Sequence, residues 1–124
     1  MSADEVRPIC LVEDDDAVRA SARMLLESVG YMVRDYASAE ALLADAAAQE
    51  PACLLLDFHL GGMTGLELLE RLWARGVRTP AIIVKANANL PDERCRRFNV
   101  LAVLRKPAPA ADLLDWVEKA CSRN

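Results

Sequence analysis

The sequence predicts an α/β domain in which parallel strands and helices alternate along the chain. Several short apolar runs, such as Cys53 to Leu56, lack the period-two alternation of a half-exposed strand, which is typical of strands covered on both faces. Between these runs, apolar residues recur at helical spacing. Parallel strands need crossover connections, and helical crossovers cover both faces of the sheet. These observations predict a doubly wound sandwich of five strands and five helices.

The first half of the chain contains two strand and helix units. The run Pro8 to Val12 ends abruptly at acidic residues and predicts the first strand. The helix after it ends at Gly30, where a C-terminal glycine belongs, and its apolar positions are Val18, Ala22, Leu25 and Val29. Tyr31 to Tyr36 predicts the second strand. Ser38 can then cap a helix whose apolar side is Ala39, Leu42, Leu43 and Ala46.

The middle of the chain contains a strand that ends on a single carboxylate. The run that begins at Cys53 ends on Asp57, and glycines give the following loop backbone freedom before a helix marked by Leu66, Leu69 and Trp73. Ala81 to Val84 predicts a fourth strand, which ends on Lys85. Ligands of open α/β folds bind at the carboxyl ends of the strands, so Asp57 and Lys85 are candidate site residues.

The last third of the chain predicts a short helix, a fifth strand and a final helix. Pro91 suits the first turn of the short helix, and Cys95 and Phe98 offer it a narrow apolar face. Val100 to Leu104 is apolar throughout and predicts the fifth strand, which leads into Arg105-Lys106-Pro107. The final helix presents its apolar side to the sheet through Leu113, Val117 and Ala120.

Composition disfavours several classes of protein. With 124 residues and 53% hydrophobic content, the chain fits one domain over residues 1–124, and we expect no separate output domain. A net charge of -4 disfavours direct DNA binding and binding to anionic membranes, which need concentrated positive charge. No stretch has the length of a membrane helix or the core of a signal peptide, so a cytoplasmic protein is expected. The cysteines form no CxxC pair and are expected to be buried, reduced thiols.

Charged residues follow three of the predicted strands at their carboxyl ends. Glu13 and Asp14 follow the first strand, Asp57 ends the third and Lys106 follows the fifth. Clustered carboxylates repel one another, and a hard cation such as Mg²⁺ or Mn²⁺ relieves the repulsion. A lysine beside them supplies a point charge suited to a phosphate. With a metal ion neutralising phosphoryl oxygens, one carboxylate can act as a nucleophile and become an aspartyl phosphate.

These motifs together carry a family resemblance. Val12-Glu13-Asp14-Asp15, Leu56-Asp57 with Met63-Thr64-Gly65 after it, and Lys106-Pro107, in this order and spacing, resemble the receiver domain of two-component response regulators. The resemblance covers essentially the whole chain, and the combination is specific although each motif alone is weak. It implies a flavodoxin-like (βα)5 fold with the parallel strand order 2-1-3-4-5.

The resemblance also implies a role for each residue at this edge. Asp57 matches the phosphoacceptor and Asp14 the carboxylate that binds the metal ion directly. Glu13 matches the acid that acts through metal-bound water, and His59 the position whose backbone carbonyl binds the metal. The imidazole of His59 is therefore expected to be exposed and uninvolved. Lys106 matches the lysine that contacts the phosphoryl group.

The sequence departs from the family pattern at three places. Lys85 stands where the family usually has Thr or Ser, and Val103 stands where an aromatic residue is usual. Gly61-Gly62 occupies the place of a proline. In typical receivers the hydroxyl and the aromatic move together on phosphorylation and alter the face made by the fourth helix, fifth strand and fifth helix. This sequence keeps the acceptor residues and lacks that relay.

Three hypotheses about function follow. The leading one is a receiver that accepts a phosphoryl group on Asp57 from a sensor histidine kinase or phosphotransfer protein, in a Mg²⁺-dependent way, and signals or relays through protein contacts at that face. Such a protein is a phosphoacceptor that assists its own phosphorylation and dephosphorylation, not an ordinary enzyme. The alternative is a pseudo-receiver, an interaction module that works without phosphorylation; Lys85 and Val103 favour it. A hydrolase is disfavoured because His59 is the only histidine and no second base accompanies the acids.

Overall fold

A five-stranded parallel sheet flanked by five helices makes up the part of the chain that the computed structural model describes, residues 7–45, 50–87 and 92–123. The strands are β1 (Ile9–Val12), β2 (Val33–Tyr36), β3 (Cys53–Asp57), β4 (Ala81–Lys85) and β5 (Val100–Arg105). The helices are α1 (Asp16–Ser28), α2 (Ala39–Ala44), α3 (Gly65–Ala74), α4 (Asp92–Arg97) and α5 (Ala110–Ser122). The strand order is β2-β1-β3-β4-β5, which confirms the predicted topology. The helices in these ranges are too short or too polar to span a bilayer.

The sheet buries apolar side chains on both of its faces. Along β3, Leu54 and Leu56 belong to the core cluster beneath α2 and α3, whereas Cys53 and Leu55 belong to the cluster beneath α1 and α5. All four side chains are at most 2% exposed. Burial on both faces explains why this strand reads as a continuous apolar run. Its last residue, Asp57, is therefore delivered to the carboxyl edge of the sheet.

Three helices begin at side chains that accept from otherwise free backbone N–H groups. Asp15 caps α1 by accepting from Val18 N at 3.0 Å, and Ser38 caps α2 in the same way, as predicted. Thr64 and Glu67 form a capping box at α3, in which each side chain accepts from the other's backbone N–H, at 3.1 and 2.9 Å. The capping box fixes where the loop after β3 enters the helix.

The orientation of α1 corrects one sequence prediction. Val18 and Val29, which were predicted to face the core, are 46% and 54% exposed, whereas Leu26 is completely buried. Arg23 Nη1 lies 2.8 Å from Asp35 Oδ1 on β2, so α1 also contacts the edge strand. Ala22 and Leu25 pack against the core as predicted, whereas Val18 borders an opening between α1 and α5 and Val29 is the residue that follows α1.

The connection from α1 to β2 corrects a strand boundary. Gly30 has a φ of +99°, a conformation that favours glycine, and it ends the helix as predicted. Tyr31 N donates to Leu26 O at 3.2 Å, so Tyr31 belongs to this turn and β2 begins two residues later than predicted.

Ala46 and Pro91, predicted at helical positions, lie outside the described residues.

The cysteines are free thiols, as predicted: Cys10, Cys53 and Cys95 are buried and Cys121 is half-buried. Burial raises the pKa of Cys10 to about 11. A thiol with so high a pKa carries almost no thiolate at neutral pH, which makes it unreactive. These cysteines therefore contribute to the packing of the core.

We expect Leu26→Ala to lower the free energy of unfolding by about 2–5 kcal/mol, because it removes a completely buried side chain. Met24→Ala is the matched control two residues away, since Met24 is 70% exposed, and its effect should stay within about 0.5 kcal/mol. Urea denaturation followed by circular dichroism measures both. Equal losses in the two variants would contradict the orientation of α1 described above.

Candidate functional site

The carboxyl edge of the sheet brings together acidic and basic side chains that are far apart in sequence. Lys106, which follows β5, places its Nζ 3.0 Å from Asp57 Oδ2 at the end of β3. The same Nζ lies 3.4 Å from Oε1 of Glu13, which follows β1. Parallel strands end at one edge, so three distant parts of the chain meet there. This confirms that the residues singled out at this edge are neighbours in space.

The three carboxylates at this edge form a compact group of oxygen atoms. Glu13, Asp14 and Asp57 each offer one carboxylate oxygen, and these oxygens lie within 4.8 Å of one another. Glu13 and Asp57 are buried, whereas Asp14 is exposed and faces solvent. Hard divalent cations such as Mg²⁺ prefer oxygen ligands, with a few from protein and the rest from water. The group fits such an ion, with its exposed side left for water or substrate.

The charges at the site shift the pKa values of its buried members. Burial raises the pKa of Glu13, against the hydrogen bond from Asp15 N, and the nearby charge of Asp57 raises it further. Burial alone would lower the pKa of Lys106, but its hydrogen bond and ion pair with Asp57, aided by Glu13, raise it. Lys106 is therefore held in its charged form and compensates the two buried acids.

Backbone and side-chain contacts hold Glu13 in place. Its Oε2 accepts from Asp15 N at 3.1 Å, and its backbone carbonyl accepts from Arg19 Nη1 at 2.9 Å. Arg19 also pairs with Asp16 at 2.7 Å. The sequence analysis missed this role of Arg19, although an arginine in the first turn after an acidic run was a signal for it.

The loop after Asp57 is tightly folded. Asp57 Oδ1 accepts from His59 N at 3.3 Å, and Phe58 O accepts from Gly65 N at 2.7 Å. His59 also pairs with Thr64 in a short antiparallel bridge. The imidazole of His59 is exposed, as predicted. Metal binding by the His59 carbonyl remains a prediction.

Lys85 and Val103 lie on the side of this edge that faces α3 and α4. Lys85 ends β4, and its Nζ lies 4.4 Å from the centroid of the Phe58 ring, within the range of a cation–π contact. Its carbonyl accepts from Lys106 N at 2.8 Å. Val103 pairs with Ile83 in the sheet register and is half-buried. The contact with Phe58 was not predicted, because it depends on how β3 and β4 align.

Comparison with known proteins identifies the family. Residues 9–118 match the family described as response regulator receiver domain. The chain belongs to the response regulator receiver family. In structure, the receiver resembles a CheY-like response regulator receiver domain protein from Methanospirillum hungatei, with a TM-score of 0.84, 28% identity and 96% of each chain covered.

Two curated relatives are similar to this chain over nearly all of its length. The transcriptional regulatory protein FixJ of Azorhizobium caulinodans is 36% identical over 97% of this chain and 57% of that protein. Nodulation protein W of Bradyrhizobium diazoefficiens is 31% identical over 94% of this chain and 52% of that protein. The receiver thus spans about half the length of the curated relatives it matches.

We expect Gly65→Ala to disturb the loop that carries the site. A Cβ at Gly65 would meet the backbone O of Asp57 at 2.9 Å, so backbone must move, at a cost of about 1–3 kcal/mol. Gly62→Ala is the matched control, because there a Cβ would meet only the mobile end of Glu40, at 3.2 Å. Urea denaturation of both variants tests this. A loss in Gly62→Ala as large as in Gly65→Ala would contradict it.

Proposed function

We propose that the receiver accepts a phosphoryl group on Asp57 from a sensor histidine kinase or a phosphotransfer protein and then signals or relays through protein contacts. The observation that carries this proposal is the position of Asp57, with Lys106 3.0 Å away and two further carboxylates beside it. A buried nucleophile beside a fixed cation and an oxygen-lined ion site suits phosphoryl transfer. Membership of the receiver family supports the same conclusion.

The transfer step needs little from the protein beyond positioning. One carboxylate oxygen of Asp57 forms a bond to phosphorus while the bond from phosphorus to the donor breaks, and the donor keeps the electron pair. Lys106 contacts Asp57 already, so its ammonium can pair with a phosphoryl oxygen without a large movement. The receiver acts here as a phosphoacceptor that assists its own modification, rather than as an enzyme with a separate substrate.

Asp14 and Asp57, with the carbonyl of His59, would hold a Mg²⁺ or Mn²⁺ ion, and Glu13 would act through a bound water. Oxygen ligands at this spacing suit those ions. When bound, the ion supplies positive charge that lowers the repulsion between the carboxylate and the incoming phosphoryl group. Asp15 N and Arg19 keep Glu13 in position for this task.

The receiver's protein contacts would involve the face made by α4, β5 and α5. On α4, Arg94, Arg96 and Arg97 are exposed, and Arg94 pairs with Glu70 of α3. Exposed arginines on a short helix suit an acidic protein surface.

The overall charge of -4 disfavours direct contact with DNA. We propose that residues 1–124 act as one cytoplasmic receiver domain.

A second candidate function is a pseudo-receiver that works without phosphorylation. Lys85 favours it, because a lysine occupies the place where the family usually has a hydroxyl. Its ammonium lies over the Phe58 ring. Val103, in place of an aromatic residue, favours it as well. The acceptor chemistry at Asp57 distinguishes the two functions, since a pseudo-receiver does not need it.

We expect Asp14→Ala to weaken Mg²⁺ binding about tenfold or more, equal to about 1.4 kcal/mol, because it removes a direct carboxylate ligand. Asp115→Ala is the matched control, since Asp115 is an exposed carboxylate on α5 that does not belong to the carboxylate group. Isothermal titration calorimetry measures both affinities. Unchanged affinity in Asp14→Ala and Asp57→Asn would mean that the ion binds elsewhere.

The receiver should gain the mass of one phosphoryl group when it is incubated with acetyl phosphate and Mg²⁺. The adduct should be labile to base and hydroxylamine, as an acyl phosphate is. Asp57→Asn should gain no adduct, whereas Asp115→Asn, an exposed carboxylate on α5, should behave like the wild type. Intact-mass spectrometry gives the answer. A wild type without an adduct, or an adduct that persists in Asp57→Asn, supports the pseudo-receiver instead.

Lys85→Thr should strengthen Mg²⁺ binding a few-fold, because it removes a positive charge one strand away from Asp57. Lys119→Thr is the matched control: Lys119 lies 4.5 Å from the Trp116 ring, a similar contact away from the site. In the wild type, an acyl-phosphate mimic should change hydrogen exchange on α4 and α5 little, because the hydroxyl and aromatic relay is missing. Clear exchange changes together with an unchanged Mg²⁺ affinity in Lys85→Thr would contradict this account of Lys85.

A further inference from the structure

A cleft of about 650 Å³ lies between α1 and α5, over the face of the sheet opposite Lys85 and Val103. Its floor is formed by Leu11, Leu55 and Val84 of the central strands. One end is formed by Glu13, Asp57 and Lys106. Clefts of this volume, apolar apart from a few converging polar groups, are typical of small-molecule sites. The cleft therefore connects an apolar channel with the acidic edge of the sheet.

Small side chains on the two helices keep this cleft open. Ser21 and Ala22 of α1 face the cleft, and Ala110 faces it from α5. Side chains of this size cannot fill the space between two helices that pack on the same sheet. Val18 also lines the cleft, where it leaves 46% of its surface exposed. A ligand in the cleft would cover apolar surface that the fold leaves open to water.

The charge at the acidic end selects the kind of head group a ligand can carry. Glu13 and Asp57 bring two negative charges to this end and Lys106 brings one positive charge, which leaves -1 when all three are ionised. An anionic head group would be repelled by this end, and a neutral one would gain little from it. A protonated amine has donors for the carboxylate oxygens and the complementary charge.

We propose that the cleft between α1 and α5 binds a small molecule with a narrow apolar body and a protonated amine, and that its binding competes with phosphorylation of Asp57. The binding part rests on the cleft and its charge alone. The competition rests on the function proposed above. The apolar body lies along Val18, Ala22 and Val84, which leave apolar surface open, and the amine lies beside the carboxylates at the end of the cleft.

Hexylamine, hexanol and hexanoate test the binding part, because they share one apolar body and differ in head group. Titrations of the full chain without divalent cations, followed by two-dimensional NMR of the backbone amides, give affinity and location. Hexylamine should bind at least about tenfold more tightly than hexanoate, with shifts along α1 and α5. Equal affinities for the three molecules, shifts elsewhere, or no saturable binding of hexylamine would overturn the proposal.

Two substitutions that narrow the cleft, and a third on α5 that lies outside it and serves as the control, test the location of the binding site. Ala110→Leu and Ser21→Leu should each weaken hexylamine binding several-fold, because both positions line the cleft and are exposed, so the core is left intact. Ala111→Leu, on the exposed side of the same turn of α5, should leave it unchanged. An equal loss in Ala111→Leu, or no loss in the two cleft variants, would overturn the assignment of the site.

The competition is tested by phosphorylation with acetyl phosphate at subsaturating Mg²⁺ in the presence of hexylamine, because the ion and the amine would share the carboxylates at this end. Hexylamine should slow the reaction of the wild type and slow that of Ala110→Leu less. An unchanged rate in the wild type at saturating hexylamine would overturn the competition while the binding result stands. If Asp57 takes no phosphoryl group at all, the proposed function fails, and the NMR titrations still decide whether the cleft binds the amine.

Discussion

The contact of Lys106 with Asp57 and Glu13 is the interaction on which the rest of this structure depends. Two carboxylates buried at one edge of a sheet repel each other and lose their hydration, and neither cost is tolerable without a nearby cation. Lys106 supplies that cation from the far end of the chain, at 3.0 and 3.4 Å. The edge is thereby held in a charged state that the fold tolerates.

The two faces of the sheet give this edge different surroundings. On the side of α3 and α4, Phe58 lies beneath Lys85, and Val103 packs against the core. On the side of α1 and α5, small side chains leave a cleft that ends at Asp57. Asp57 thus lies where the carboxyl edge of the sheet meets the end of the cleft. Lys85 and Val103, two of the departures of this chain from the usual receiver pattern, lie on the first side, and the residues that match the acceptor site lie on the edge between the two sides.

Sequence patterns predicted the sheet and the residues at its edge because both are local signals. The apolar run before Asp57 and the acidic run after Val12 mark strand ends, and strand ends of a parallel sheet meet at one edge. The exposure of Val18 and Val29 was not predictable in this way, because it depends on the cleft beside α1 and on where α1 ends. The contact of Lys85 with Phe58 and the cleft also depend on how separate elements pack.

A double-mutant cycle between Lys106 and Asp57 tests the central claim most directly. Free energies of unfolding are measured without divalent cations for the wild type, Lys106→Met, Asp57→Asn and the double variant. Lys106→Met should cost about 1–3 kcal/mol in the wild type, since it leaves two acids uncompensated at a partly exposed site, and much less in Asp57→Asn, where one acid is already neutral. The same cost in both backgrounds would contradict the claim that Lys106 balances the repulsion between Asp57 and Glu13.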